Sequence, residues 1–380
     1  MHALLLLLVS ASPDNASLAE KIVADVAVVK EKEVVLLVGA GDDLPLLREL
    51  YVAAAKRGAQ PLIRIDEVDL ARRWFEIVPE RFDANAPALE EKLIPLADVV
   101  ITVDRRDSAA LKKVPAARRM AAMAAFGKLG ELRNKRGTRQ IYLGNGLFPS
   151  KESAKAVGVS EGDLKKLYEA GIGVDYGALG GSAQAVKALL APGKPINIRT
   201  PAGTDLKLTL GKKPLVVSDG VIGTDDVKAG GAALTTWLPA GEVYGLVDGA
   251  DGKIVQPRLT FDGEDIKDLV ITVQAGKVTS MTAKPSKAFD AFKALYDAGP
   301  AGKDALSTID IGVNPGVKAK GKKLNDFVTE GTVSLNVGGD DWAGGTNTSG
   351  YGATLYLPDA TVTVDGNVFI ENGDIKFASK

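Results

Sequence analysis

Histidine and cysteine are the residues whose scarcity most limits the chemistry open to this chain. Of its 380 residues only one is histidine, His2, and none is cysteine. A catalytic zinc site typically uses two or three histidines, or cysteines together with histidine. A Ser-His-Asp triad likewise needs a histidine base beside its serine. One chain therefore cannot assemble either site, whereas serine with lysine, paired carboxylates or a hard-cation site of oxygen ligands remain chemically possible.

Acidic side chains are the metal ligands that remain available. Glu242 together with Asp310 and either Asp340 or Asp341 would offer carboxylate oxygens, which suit calcium or magnesium. The alternative is that Asp340 and Asp341, which follow two glycines, form a polar turn. We favour the turn, and no spacing in the sequence selects two of these carboxylates as a general acid and base.

Two aromatic residues, Trp342 and Tyr351, flank the glycine-rich segment 344–352. They could line a cleft and stack a ligand. An isolated tryptophan in a loop is more often a packing or interface residue. We keep both, together with Asp310 and Asp341, as candidate cleft residues.

The composition is typical of a globular protein with two domains, since a domain usually has roughly 100–200 residues. Apolar residues make up 46% and charged residues 25%, enough to bury a core. Lysine and arginine total 47 against 48 aspartates and glutamates, a net charge of −1. Such a balance gives no general attraction for nucleic acid or for an anionic membrane surface, so neither is expected as a partner.

The first 16 residues are expected to form a leader. Residues 3–9 are an apolar run, and residues 9–11 (Val-Ser-Ala) resemble the small-residue cleavage site of a signal peptide. The segment before the run carries no lysine or arginine, and the alternative is an apolar strand or helix end that packs on the fold. Residues 1–11, if a signal remnant, would imply export to the periplasm or the outside; otherwise the protein would be cytoplasmic. A transmembrane span is excluded because it needs about 20 apolar residues.

Helices alternate with short apolar runs in the first half, residues 17–192. Ser17 and Glu20 have the spacing of a capping box, which predicts that the first helix begins at Ser17. Buried strands are predicted at 34–38, 61–65, 99–103 and 140–143. Further helices are predicted at 44–57, 67–75, 88–96, 116–132, 160–170 and 176–190. This alternation favours βαβ units, so we expect an α/β domain with a parallel sheet.

The turn after the first predicted strand, residues 39–43, has the sequence Gly-Ala-Gly-Asp-Asp. A glycine turn that opens a helix can hold a phosphate. Here no third glycine follows, and Asp42 and Asp43 would repel an anion. We therefore expect an ordinary turn in which an aspartate caps the next helix.

The second half, residues 193–380, begins within a proline-rich linker at 191–195 and has a different sequence pattern. Strands with alternating side chains are predicted at 196–200, 205–210, 269–273 and 277–282, and one helix at 287–298. Residues 361–370 predict a hairpin with an Asp-Gly turn. The expected fold is α+β, a mainly antiparallel β domain with a few helices.

Five motifs of the second half occur in the order found in one known family. They are Gly203-Thr204-Asp205-Leu206, Leu238-Pro239-Ala240-Gly241-Glu242-Val243-Tyr244, Ile311-Gly312-Val313-Asn314-Pro315, Gly331-Thr332-Val333 and Gly344-Gly345-Thr346-Asn347-Thr348-Ser349. With residues 44–61 and 148–176 of the first half, they resemble the aminopeptidase T and aminopeptidase S type of metallopeptidase, the thermophilic aminopeptidase family. The resemblance covers nearly everything from Ser17 onward, and its most specific element is the run from Leu238 to Val243.

The resemblance implies a two-metal centre of which most ligands are missing. Enzymes of this family remove N-terminal amino acids with two divalent metals, held by two glutamates, two histidines and an aspartate. Only the first glutamate is retained, as Glu242. The slots of the second glutamate, the two histidines and the aspartate hold, in that order, Thr308, Ser334, Gly352 and Thr354. No shift of the alignment restores the histidines, because the chain has none beyond His2.

From these residues we expect a noncatalytic homologue of a dimetal aminopeptidase with no bound cofactor. It would act as a structural, self-assembling or interaction protein, a scaffold whose first partner is itself, because members of the family form homodimers through the C-terminal half. One alternative is a metallopeptidase-like hydrolase with a divergent oxygen-ligand metal site. Another is a peptide-binding module that uses the retained cleft.

Overall fold

The computed structural model describes residues 14–85, 87–105, 111–318 and 328–376. His2 and the leader up to residue 13, with its candidate signal segment 1–11, lie outside the described residues. The helices are α1 (Asn15–Lys21), α2 (Leu44–Lys56), α3 (Val68–Ile77), α4 (Ala88–Leu93), α5 (Ala116–Arg136), α6 (Lys151–Val157), α7 (Glu161–Ile172), α8 (Tyr176–Leu189), α9 (Thr224–Ala229) and α10 (Lys287–Ala298). The strands are β1 (Val34–Gly39), β2 (Gln60–Ile65), β3 (Val99–Val103), β4 (Arg139–Leu143), β5 (Pro195–Arg199), β6 (Asp205–Leu210), β7 (Val216–Ser218), β8 (Thr235–Leu238), β9 (Glu242–Phe261), β10 (Glu264–Gln274), β11 (Lys277–Thr282), β12 (Leu306–Gly312), β13 (Val333–Gly338), β14 (Gly352–Leu357), β15 (Thr361–Val364), β16 (Asn367–Glu371) and β17 (Asp374–Ile375).

A five-stranded parallel sheet forms the first half, in the order β2-β1-β3-β4-β8. Successive side chains of a strand point to opposite faces. In β1, Val35 and Leu37 belong to the main hydrophobic core, while Leu36 and Val38 belong to a second cluster. Burial on both faces explains why this strand is a continuous apolar run. The predicted α/β class of this half is confirmed.

The first helix begins earlier than the sequence predicts. α1 starts at Asn15, and the carboxylate of Asp14 accepts a hydrogen bond of 2.8 Å from the main-chain N–H of Ser17. Aspartate at this position satisfies one of the free N–H groups of the first turn. The predicted start at Ser17 is therefore wrong, and the cap is Asp14. A π-helical turn, Ile22–Val26, continues the helix.

The glycine turn after β1 is an ordinary connection to α2, as predicted, but its aspartate does not cap that helix. The carboxylate of Asp43 accepts a hydrogen bond of 2.9 Å from the N–H of Ala40, on the strand side of the turn. It also forms an ion pair with Arg105, which follows β3. The expected cap on α2 is thus wrong, because Asp43 instead ties the turn to the neighbouring strand connection.

The other twelve strands form one sheet whose central strand is β9. The order along it is β14-β13-β12-β9-β6-β5-β15-β16-β17, with β7 and β10 also paired to β9, and β11 to β10. All these pairs are antiparallel. The predicted hairpin is confirmed: β15 and β16 are joined at Asp365 and Gly366, whose φ angles of 52° and 81° suit a tight Asp-Gly turn. The second half is mainly antiparallel, as expected.

The parallel sheet is completed by a strand from beyond the predicted linker. β8 pairs in parallel with β4, Thr235 opposite Gln140 and Leu238 opposite Leu143. After a turn of three residues, 239–241, the chain enters β9 of the antiparallel sheet. The predicted boundary at 192–193 therefore does not coincide with the division between the two sheets.

The longest helix described, α5, ends at Gly137, where a φ of 75° places the residue in the left-handed conformation that stops a helix. Arg133, Lys135 and Arg136 lie in its last turn, near the negative end of the helix dipole. Across the described ranges, no helix combines the length and apolar character needed to cross a membrane.

Candidate functional site

One face of the antiparallel sheet brings together the residues that the sequence singles out. Asp310 of β12 lies opposite Tyr244 of β9 on one side and opposite Ser334 of β13 on the other. Glu242, two residues before Tyr244, lies opposite Gly312. Directly opposite residues share a face of the sheet, and so do alternate residues of one strand. Glu242 and Asp310 are therefore diagonal neighbours on the same face.

The start of β9 is fixed by a close contact between two of the sequence motifs. Gly241 has a φ of 121°, and a Cβ atom built there would lie 2.9 Å from the Cβ of Asn314, so only glycine fits. The side-chain amide of Asn314 donates hydrogen bonds to the main-chain oxygens of Ala240 and Gly171. These contacts hold the Ala-Gly turn, and so they set where Glu242 enters the sheet.

A cavity of about 280 Å³ opens over this face. It lies where the turn after β4, the strand β8 and the antiparallel strands meet. Its lining residues are Asn145, Trp237, Glu242, Asp310, Asn336, Trp342, Gly352 and Thr354. Glu242 is 3% exposed and Asp310 is 2% exposed. Two carboxyl groups withdrawn from water in one cavity make it a region that favours positive charge.

Two tryptophan rings, Trp237 and Trp342, form one wall of the cavity, and the buried Tyr244 ring packs against both. The Tyr244 and Trp342 centroids are 5.3 Å apart, and Trp237 lies 6.2 Å from Tyr244 and 6.0 Å from Trp342. The Trp342 indole N–H donates a hydrogen bond of 3.2 Å to the main-chain oxygen of Gly339, which fixes the ring in its loop. Aromatic rings present a negative face to a cation. The wall and the carboxyl groups therefore favour the same kind of ligand.

Burial, followed by the negative charges of Glu242 and Asp310, raises the pKa of the Tyr244 phenol well above its ordinary value. The hydroxyl stays protonated at neutral pH and donates a hydrogen bond of 3.4 Å to the main-chain oxygen of Ala232. Tyr244 is fully buried. It supports the aromatic wall and does not act as a proton carrier at neutral pH.

Five of the ten candidate residues from the sequence line the cavity: Glu242, Asp310, Trp342, Gly352 and Thr354. Thr308 and Ser334 are buried in β12 and β13, and Thr308 lies opposite Asn336. Tyr351 is buried elsewhere, in edge-to-face contact with Tyr296 at 5.4 Å. Asp341 begins a short turn outside the lining, and burial raises the pKa of its carboxyl.

The residues present do not fit a centre of two divalent metals. The two carboxyl groups that line the cavity are joined by amides and a threonine hydroxyl. Asp340 and Asp341 are not in the lining, and the Asp340 carboxylate accepts a hydrogen bond of 2.7 Å from the N–H of Asn347. In the described part of the chain, no three or more His, Cys, Asp or Glu side chains come close enough to hold a metal ion.

Sequence reasoning missed three lining residues, namely Asn145, Trp237 and Asn336. Asn145 follows β4 with a φ of 46°, and its amide donates a hydrogen bond of 3.1 Å to the main-chain oxygen of Pro239. The amide of Asn336 donates to the oxygen of Gly339 at 3.1 Å. A signal existed for Trp237, because it directly precedes the Leu-Pro-Ala-Gly-Glu motif.

Comparison with known proteins shows the fold and no more. No family model and no curated protein matches the chain. The structure is similar to AmpT, an aminopeptidase T, from Thermus thermophilus, with a TM-score of 0.69 and 14% identity over 95% of this chain and 98% of that one. It is also similar to 2,5-dihydroxypyridine dioxygenase from Pseudomonas putida KT2440, with a TM-score of 0.60 and 15% identity over 97% of this chain and 99% of that one.

These two likenesses extend over almost the whole chain. The protein therefore has a distant aminopeptidase-like fold of mixed α/β architecture. The names of the two proteins denote different reactions, which illustrates that a fold alone does not select a function. Function must be argued from the cavity.

Proposed function

We propose that this protein is a noncatalytic relative of the dimetal aminopeptidases that binds an ammonium group, such as a peptide N-terminus, in its retained cleft. The observation that supports the proposal is the placement of Glu242 and Asp310 in one cavity beside Trp237 and Trp342. A carboxylate gives an ammonium ion a charge-assisted hydrogen bond, and an aromatic face adds a cation–π contact. An apolar or anionic ligand would gain neither.

The dimensions of the cavity favour a small group. At about 30 Å³ per water, 280 Å³ holds about nine waters. That volume suits one amino-acid residue with its free amine. A longer peptide would place its first residue inside and the remainder at the surface.

The noncatalytic part of the proposal is supported by the side chains in the former metal slots. Thr308 and Ser334 offer neutral hydroxyls, and Gly352 offers no side chain at all. Even the loss of groups that only orient metal ligands typically weakens binding by about 10–100-fold. Replacement of the ligands themselves leaves no adequate donors for two dications.

Calorimetric titration with leucinamide tests the binding. We expect saturable binding of leucinamide and none of N-acetyl-leucinamide, which has the same body without the charge. Glu242→Gln should weaken binding by about tenfold or more, because a charge-assisted hydrogen bond is lost. Glu371→Gln, the same change at an exposed position, is the matched control. Equal binding of both amides would contradict the proposal.

Turnover tests the other half of the proposal. We expect no release of p-nitroaniline from leucine p-nitroanilide, with or without added cobalt or zinc. Metal-dependent turnover that a chelator abolishes, and that Glu242→Gln removes, would establish a hydrolase with a divergent metal site in place of a binding protein.

A second candidate function, self-association as a structural protein, is supported by an exposed apolar groove between α3 and α5. Its volume is about 640 Å³. Leu70, Trp74, Met123 and Phe126 line it and are each more than 40% exposed. Exposed apolar side chains concentrated in one groove often mark an interaction surface.

Light scattering after size-exclusion chromatography, over a range of protein concentrations, tests this candidate. We expect a homodimer or larger assembly that Phe126→Lys disrupts. Val368→Lys places the same charge at a comparably exposed position outside the groove and should leave the assembly intact. A monomer at all concentrations would rule out self-association.

A further inference from the structure

A second cavity, about 790 Å³ in volume, lies at the carboxyl edge of the parallel sheet and shares no lining residue with the Glu242 cleft. We name it the sheet-edge cavity. Its lining includes Asp42, Asp43, Arg105, Phe148, Lys165 and Tyr168. None of them lines the Glu242 cleft, so the sheet-edge cavity would be a separate site.

The strand order explains why a cavity forms here. β1 lies between β2 and β3, so the connections that leave its carboxyl end and that of β3 diverge to opposite sides of the sheet. Such a reversal of strand order opens a crevice outside the carboxyl ends of parallel strands, where α/β proteins bind ligands. Asp42 and Asp43 follow β1, Arg105 follows β3 and Phe148 follows β4, and all four line the cavity.

Tyr168 supplies an independent indication of a ligand. Its side chain lines the cavity, the residue is 5% exposed, and its ring packs edge-to-face against Phe148 at 5.6 Å. Its buried hydroxyl has no hydrogen-bond partner among the described residues. A buried polar group without a partner is costly and uncommon, so the hydroxyl is available to bond a ligand.

The charges of the lining residues indicate the charge of the ligand. Among the described residues that line the cavity, five are acidic and two are basic. Arg105 is paired with Asp43, and Lys165 lies 3.7 Å from Glu169, so both positive charges have a carboxylate partner inside the lining. The Asp42 side chain, at the rim, is 88% exposed and lies 3.9 Å from the Arg105 guanidinium. The excess of acidic groups favours a cation and disfavours phosphate.

The rest of the lining is apolar and defines the ligand's body. Leu18, Pro45, Leu46, Phe148 and Ile172 form walls suited to an alkyl or aryl group. We propose that the sheet-edge cavity binds an organic cation with an apolar body, an arylalkyl or alkyl ammonium ion. The apolar body lies against these walls, and the ammonium group lies among the acidic side chains and donates one hydrogen bond to the Tyr168 hydroxyl.

The experiment compares three probes of one shape in calorimetric titrations: 2-phenylethylamine, 2-phenylethanol and phenylacetate. Each is titrated into the whole protein carrying Glu242→Gln, which disables the cleft proposed to bind ammonium groups. The cation should bind more tightly than the neutral alcohol, and the anion should bind least. Equal binding of amine and alcohol would overturn the proposal.

Two variants in the Glu242→Gln background locate the binding. Tyr168→Phe keeps the ring and should weaken amine binding about two- to tenfold, the effect of one hydrogen bond. Asp42→Asn, at the exposed rim, should weaken it about two- to fivefold. Thermal melts of both proteins verify that each is folded. If both variants are folded and bind the amine with unchanged affinity, the assignment is wrong, whether or not the Glu242 cleft binds ammonium groups.

Discussion

The side-chain amide of Asn314 donates a hydrogen bond of 2.5 Å to the main-chain oxygen of Ala240, two residues before Glu242. A second hydrogen bond from the same amide reaches Gly171 at the end of α7. One buried side chain thus joins a helix of the parallel half to the turn that positions the cleft carboxylate. The two sequence motifs that contain Ala240 and Asn314 are tied together by this contact.

Asn314→Ala should reduce the free energy of unfolding by about 1–3 kcal/mol, because buried carbonyl oxygens lose their donor. Leucinamide binding should weaken as well, since the turn before Glu242 loses its support. Urea denaturation and calorimetry measure the two effects. Asn367→Ala, at the exposed first residue of β16, should change neither. An unaltered unfolding midpoint in the Asn314 variant would contradict this role.

Tryptophan emission should report on the cleft directly. Of the three tryptophans, Trp237 and Trp342 line the cavity, whereas Trp74 lies in the apolar groove. Leucinamide should alter the emission of wild-type protein and of Trp74→Phe to the same extent. Trp237→Phe should lose part of the response and bind about two- to fivefold more weakly, through a poorer cation–π contact. A response that disappears with Trp74 would place the ligand elsewhere.

Restoring the family's ligand types should create metal affinity that the natural chain lacks. A Cβ at Gly352 would meet only the Asn336 Oδ1, at 4.0 Å, so a side chain has room there. The fourfold variant Thr308→Glu, Ser334→His, Gly352→His and Thr354→Asp should bind cobalt at least about a hundredfold more tightly than wild type.

Visible absorption of bound cobalt, with circular dichroism to confirm folding, measures this gain. Adding Glu242→Gln to the fourfold variant should remove most of the gain in cobalt affinity. Equally tight cobalt binding by the natural chain would count against the noncatalytic proposal.

The stability of the protein should depend on pH through the pair formed by Asp83 and Arg118. The Arg118 guanidinium donates to both carboxylate oxygens, at 2.6 and 2.9 Å, and holds the pKa of Asp83 below its ordinary value. This stabilisation is complete above the unfolded pKa of about 3.9 and is lost as the pH falls through the lowered folded value.

Asp83→Asn should therefore be less stable than wild type at pH 7, with the difference shrinking as the pH approaches about 3. Urea denaturation at several pH values between pH 7 and about 3 measures this difference in the free energy of unfolding. Asp297→Asn, which breaks the exposed pair with Lys293, should show a much smaller difference at every pH. A difference in stability between Asp83→Asn and wild type that stays constant with pH would contradict the assignment.

The parallel half was the more predictable part of the sequence. β3 has the predicted bounds, and β1 and β4 differ from prediction by one residue, because each is a compact apolar run between turn-forming residues. The strands missed in the second half are hidden for a physical reason. β12 and β13 are buried at every position, so their polar residues, such as Asp310 and Ser334, give no alternation to detect.

The candidate site was predictable only in part. Resemblance located Glu242, Gly352 and Thr354, which do line one cavity. Tyr351, singled out as an aromatic residue of the glycine-rich segment, lies outside the lining, although its neighbour Gly352 is part of it. Asn145 comes from the other sheet, and only the folded chain shows that it borders the cavity.

Because β8 belongs to the parallel sheet, we expect that residues 14–192 do not form a stable unit by themselves. In a chain that ended at residue 192, the edge of β4 would carry a row of main-chain amide and carbonyl groups without hydrogen-bond partners. Such an edge can pair with strands of other chains. Such a fragment should aggregate. A separate peptide of residues 230–242, added to the fragment, should replace the missing strand β8 and keep the fragment in solution.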